Sequence, residues 1–178
     1  VAWLIRRRGV EAKPSLLAAL NASSVHTQVA AIELLGELKA EEAIPALVGK
    51  LASTDWKVAN AAKSALPRLG AKAAVQVAAA LRKPNQTLRQ HALEALQWWP
   101  TALPAAAVSA VDRVFRDTND PLRWQAGMAL FQVDHEQAWR VVQVVLEEAG
   151  QKTDELTVGM HLEYQPPDRR LLPLCRHK

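Results

Sequence analysis

The sequence predicts an all-α protein, a right-handed α-solenoid of about four to five helical hairpins with an irregular C-terminal tail. Three observations carry this prediction. First, a pattern of a β-branched or leucine position, then alanine, alanine or leucine, and leucine at offsets of four, seven and eight recurs along the chain. It runs through Thr27, Ala31, Leu34 and Leu35; Val58, Ala62, Ala65 and Leu66; Leu88, Ala92, Ala95 and Leu96; and Leu122, Ala126, Ala129 and Leu130. Those offsets keep to one face of a helix. The closing leucines lie 31, 30 and 34 residues apart, a period suited to a two-helix repeat. Second, Ser24, Asp55, Asn85 and Asn119 stand in one register ahead of these helices, where a short polar side chain accepts an unpaired backbone N–H. Third, a second apolar row precedes each: Leu16 and Leu20, Leu47 and Leu51, Val77 and Leu81, Val111 and Phe115. The repeat is therefore a helix A, a polar turn and a helix B.

Taken in order, residues 1–9 read as the end of an earlier helix B, because Leu4 precedes Leu35 by 31 positions. With an apolar turn under way at Val1 and no initiator methionine, the sequence reads as part of a longer chain. Hairpins follow at about 13–38, 41–70, 72–100 and 102–133, and 135–149 continues as a fifth helix A through Trp139, Val142 and Leu146. Pro14 and Pro45 correspond and are expected near helix starts, where the missing N–H has no intrahelical partner to lose. Trp99 takes the core position of Leu69, Trp139 that of Val108 and Trp3 that of Leu34, while Trp56 opens a helix B and is expected to cover the turn. The array spans 1–150 and the remainder, 151–178, is a degenerate cap and tail. Thr153 to Tyr164 could form a last helix B, although Thr157, Val158 and Gly159 are poor helix formers. Pro166, Pro167 and Pro173, with the basic residues Arg169, Arg170, Arg176 and Lys178, predict an extended end whose Leu171, Leu172 and Leu174 shield the last repeat. Units this short cannot bury their own apolar face, so stability is a sum of unit and neighbour-interface terms.

The segments Leu35-Gly36-Glu37-Leu38, Glu42-Ala43-Ile44-Pro45-Ala46-Leu47-Val48, Asp55-Trp56-Lys57-Val58, and Ala61-Ala62 through Leu66 and Leu69-Gly70 carry a family resemblance. The chain resembles short bacterial HEAT repeats of the lyase-like type over roughly residues 1–149. The resemblance implies a binding scaffold. It also implies an arginine directly after the valine or leucine of helix B, paired with a turn acid of a neighbouring unit. Arg89 and Arg123 keep this feature, whereas Gln28 and Ala59 replace it, so the inter-repeat polar ladder is expected to be incomplete.

Composition narrows the chemistry. At 49% hydrophobic and 22% charged residues the chain is too apolar for intrinsic disorder, and charges or prolines interrupt each apolar run before it reaches membrane-spanning length. The single Cys175 excludes an intrachain disulfide framework. No Gly-x-Gly, His-Glu-x-x-His, Cys-x-x-Cys or Gly-x-Ser-x-Gly occurs, so dinucleotide, phosphate-loop, zinc and serine-hydrolase signatures are missing. His91 reads as a structural histidine on a helix flank, Asp134-His135-Glu136 as a turn that caps the fifth helix A, and Cys175-Arg176-His177 lacks further metal ligands. No catalytic residue, metal or cofactor is assigned.

The solvent stripe of the B helices, expected to line a concave face, falls at 57, 60, 61, 64 and 68 in the second unit. Offsets carry it to His26, Val29 and Glu33, to Gln90, Glu94 and Trp98, and to Trp124, Met128 and Gln132. Lys57, Asn60, Arg68, Gln90, Glu94, Trp98, Trp124 and Met128 form the candidate partner-binding face, with the two tryptophans as anchors. The leading expectation is a noncatalytic scaffold for a peptide, a helix or a partner domain. A net charge of +4 and a pI of about 9.5 also permit nucleic-acid binding, and HEAT-like DNA glycosylases set tryptophans and an acid on this face. Here Glu33 and Glu94 interrupt the basic residues, and Pro100 rather than an acid follows Trp98 and Trp99. A third reading, bilin attachment, is implied by the lyase-like resemblance alone.

Overall fold

The computed structural model describes residues 9–133, together with 141 and 144. The chain divides into two compact units, Val1–Ala138 and Trp139–Lys178, and the description below concerns the first. The expectations for Val1 to Arg8, including Trp3, and for the turn at 134–136, Trp139 with the rest of the fifth helix A, the degenerate cap and the tail lie outside the described residues.

Among the described residues the unit is all-α. Helices α1 (Gly9–Ala19), α2 (Val25–Glu37), α3 (Ile44–Lys50), α4 (Trp56–Ala65), α5 (Ala71–Ala80), α6 (Gln86–Gln97), α7 (Ala105–Arg116) and α8 (Arg123–Val133) follow one another, with 3-10 turns at Glu41–Ala43 and Leu66–Leu69. Each odd helix packs on the even helix that follows it, forming a hairpin. The even helices stack in the order α2, α4, α6, α8, and α3, α5 and α7 stack beside them. Hairpins on this plan make a short solenoid.

The apolar rows explain the packing. Ala31, Ala62, Ala92 and Ala126 are at most 2% exposed, and Leu35, Leu66, Leu96 and Leu130 are equally buried. Small side chains at these positions bring neighbouring backbones together. One close approach is at Gly36, where a Cβ would lie 3.0 Å from the Ala65 Cβ and 3.2 Å from its Cα. From the A helices Leu20, Leu47, Leu51, Val77, Leu81, Val111 and Phe115 complete the core, and Trp99 is buried as its register predicts. Thr27, by contrast, is exposed and Leu34 only half-buried. Both belong to α2, whose one B-helix neighbour among the described residues is α4, but Leu88 of α6 is also only half-buried although α6 has B-helix neighbours on both sides. Pro14 also departs from expectation: α1 extends back to Gly9, so the proline lies inside the helix, whereas Pro45 sits in the first turn of α3.

Three of the four caps form as the register predicts. Ser24 Oγ accepts from the Thr27 N–H at 3.4 Å, Asp55 Oδ1 from Lys57 at 2.9 Å and Asn85 Oδ1 from Leu88 at 2.8 Å. In the fourth turn the acceptor is Asp120, not Asn119: Asp120 Oδ1 takes the Leu122 N–H at 2.9 Å, while the Asn119 N–H donates to Asp117 Oδ1 at 3.0 Å. Pro121 directly follows Asp120 and suits the entry to a helix. The repeat also fixes its exit from helix B. Lys39 and Gly70, 31 residues apart, both have positive φ, at 48° and 75°, and the Gly70 ψ of −159° lies in a region open essentially to glycine alone.

Polar ties between hairpins are more numerous than the arginine pattern predicts. Arg89 pairs with Asp120, a turn acid of the next hairpin. Where that arginine is absent, lysines act instead: Lys13 meets Glu42 at 2.9 Å, Lys72 meets Glu41 at 2.6 Å and Lys63 meets Glu94 at 2.7 Å. The two acids of one 3-10 turn thus hold the hairpins on either side. Arg89 and Arg123 also donate through Nε to Leu81 O and Phe115 O, both at 2.9 Å, satisfying carbonyls near the ends of their partner A helices. Gln28 does the analogous work, its Nε2 donating to Ala22 O at 2.7 Å.

Candidate interaction groove

The B-helix stack carries two adjoining depressions. The first, of about 280 Å³, lies where Val29 and Glu33 of α2 face Trp56, Lys57 and Asn60 of α4. The second, of about 740 Å³, lies where Lys63 of α4 and Pro67 face Glu94, Trp98 and Pro100. Asn60, Ser64 and Arg68 border both, so the two depressions adjoin along α4 and together make up the candidate groove.

Helical spacing explains the lining. Val58, Ala62 and Ala65 turn toward the core, which leaves Asn60, Ser64 and, in the 3-10 extension, Arg68 on the opposite stripe. Ala61, placed on that stripe by sequence, is itself buried at 8% exposure and forms part of the floor. Trp98 caps the C-terminal end of α6 and is 72% exposed. Of the predicted face, Lys57, Asn60, Arg68, Glu94 and Trp98 meet in the groove, together with Val29, Glu33 and Ser64. Gln90, Trp124 and Met128 border neither depression. Trp124 is 50% exposed but is held by an edge-on contact with Phe115, ring centroids 6.3 Å apart, and by the Arg123 guanidinium 4.7 Å from its ring.

Trp56 is the residue that sequence reasoning misplaced. It does not cover the turn but lines the groove at 67% exposure, with Lys57 Nζ 5.9 Å from its ring centroid. The signal was present, because 56, 60 and 64 are successive i, i+4 positions and the latter two were already on the stripe.

The electrostatics are mixed. Lys63 and Glu94 pair across the second depression, and Gln90 Nε2 donates to Glu94 Oε1 at 3.2 Å. Partial burial would raise the Glu94 pKa, but the Lys63 ammonium, the Gln90 amide and the His91 ring together outweigh it and hold the carboxyl below its ordinary range. His91 itself is structural, as expected: its Nδ1 lies 2.7 Å from Leu51 O, and since a carbonyl only accepts, that nitrogen carries the hydrogen. Lys57 and Arg68 have no acidic partner among the described residues, and neither does Glu33 have a basic one.

A lowered folded-state pKa at Glu94 means stability that is present above the unfolded carboxylate pKa and lost as pH falls through the folded one. Glu94→Gln is therefore expected to destabilise at pH 7 by about 0.5–1 kcal/mol, the scale of a partly exposed pair. Thermal unfolding followed by circular dichroism checks this: the gap between wild type and variant should close in acid, below the ordinary carboxylate range.

Among the described residues no His, Cys, Asp and Glu group is arranged to hold a metal ion, and no helix is long and apolar enough to cross a membrane. The architecture and the groove define a helical-repeat scaffold. Residues 13–97 match the family model for HEAT repeats. The match covers the first three hairpins up to the end of α6, and the α7–α8 hairpin continues the same packing beyond it. No curated protein matches the chain.

Proposed function

We propose that the protein is a noncatalytic interaction scaffold that holds a protein segment, as a peptide, a helix or part of a domain, along the concave B-helix face. The observation that carries this reading is the pair of depressions adjoining along α4, each lined by a strongly exposed tryptophan, Trp56 in the first and Trp98 in the second. Large aromatic rings left open beside a concavity are suited to serve as anchors, since they bury much apolar area for little conformational entropy. Lys57, Asn60, Arg68 and Glu94 supply polar selection around them, and Gln90 steadies Glu94. On the next B helix Trp124 and Met128 would extend the contact surface.

A nucleic-acid reading is less favoured by the same groove. Backbone phosphates require a run of cations, and here Glu33 and Glu94 alternate with Lys57, Lys63 and Arg68. The test is selection of a displayed random peptide library on the full chain, with the Trp56→Ala, Trp98→Ala double variant as comparison. Peptides enriched on the wild type should lose binding to the double variant, whose helicity should be unchanged because both rings are largely in solvent. Absence of any enriched peptide, or equal capture by the double variant, would contradict the groove assignment, as would tight binding of duplex DNA with a steep salt dependence.

A further inference from the structure

We infer that the groove selects an extended peptide segment carrying one acidic side chain that meets Arg68, with apolar or aromatic side chains that rest on Trp56 and Trp98. This inference rests on the scaffold reading and specifies the occupant. The argument begins with which charges are already satisfied. Lys63 is neutralised by Glu94 across the second depression, so it adds little net field. Lys57 and Arg68 are not neutralised, and against them stands the single unpaired Glu33. The groove is left with a small positive excess, Lys57 and Arg68 against Glu33, and of the two cations only Arg68 borders both depressions.

An exposed guanidinium that borders both depressions is matched by a carboxylate, which it binds through paired N–H donors. Glu33 in the first depression disfavours a run of acids, so the complementary occupant carries an isolated one. The free hydrogen-bonding side chains on α4 favour an extended chain over a helix, whose backbone is already paired. The groove crosses from α2 over α4 to α6, two helix spacings of about 8–10 Å each. An extended segment of about six residues spans that distance. Asn60 and Ser64 lie on the helix such a chain would cross, with side chains exposed and unpaired among the described residues. An amide and a hydroxyl each donate and accept, as a peptide backbone with no partner strand requires.

The test takes a peptide enriched on the wild type, labels it with fluorescein and measures binding by anisotropy to the full-length wild type, Arg68→Glu and Trp98→Ala. The enriched pool should place Asp or Glu at one position between apolar or aromatic residues. Arg68→Glu should weaken binding at least tenfold, and exchanging the peptide's acid for lysine should restore binding to Arg68→Glu while weakening binding to the wild type. An enriched pool that is basic or neutral, or an affinity indifferent to Arg68→Glu although lost in Trp98→Ala, would overturn the acidic-segment inference and leave the groove in place. Affinity indifferent to both substitutions, or displacement of the peptide by single-stranded DNA with no change in Arg68→Glu, would remove the inference and the scaffold reading together.

Discussion

Leu66→Ala is expected to destabilise the array by about 2–5 kcal/mol, the range for truncating a fully buried leucine. Leu66 is 0% exposed and ends α4 by starting the 3-10 turn Leu66–Leu69. That turn packs against α2, α3 and α5, so it touches the hairpins on both sides of its own. Truncation removes apolar burial at a junction that three hairpins share, and none of them can close the gap without moving against the others. Urea unfolding should show a lower midpoint with a nearly unchanged slope, because the same surface is exposed on unfolding. A loss well below 1 kcal/mol would mean that the turn is not where neighbouring hairpins join.

Ala62→Leu should act in the opposite sense on the same seam and still destabilise. Ala62 is fully buried on the face of α4 that meets its neighbours, and its register mates Ala31, Ala92 and Ala126 are buried equally well. With the α2 and α4 backbones already at the separation Gly36 and Ala65 allow, a leucine has to push the helices apart or leave its rotamer. Overpacking of this kind costs about 1–3 kcal/mol. Ala79→Leu is the matched control, since Ala79 is exposed on α5 and the change there should stay within about 0.5 kcal/mol. Equal effects at the two positions would show that Ala62 is not at a helix–helix seam.

The parts of the fold legible in the sequence are those set by local geometry that recurs. Helix B could be read from the offsets of Val58, Ala62, Ala65 and Leu66 because a helical face has one period, and its caps could be read because a cap depends on the next two or three residues. The fourth cap slipped by one position because Asp117, Asn119 and Asp120 all have capping side chains, and only their relative reach to the Leu122 N–H decides among them. Pro14 was misplaced because nothing local to it sets where α1 begins.

The groove was legible as a stripe but not as a site. Register put Asn60, Ser64 and Arg68 on the solvent side of α4, yet which side chains stay free depends on pairs 31 residues apart, such as Lys63 with Glu94. Those pairs are tertiary facts with no local signature. The resemblance drew attention to arginine as the inter-repeat tie and so hid the lysine ties of Glu41 and Glu42. Trp56 shows the same limit: its place beside the Asp55 cap suggested a turn cover, while its i, i+4 relation to Asn60 carried the correct face.

The stacking of B helix on B helix underlies both the stability account and the groove, and Gly36 meets Ala65 at close range within it. A nuclear Overhauser measurement on the folded chain reads that contact directly. Close packing predicts a strong cross-peak between the Gly36 α-protons and the Ala65 methyl group; its absence, with both residues assigned and helical, would contradict the stacked arrangement.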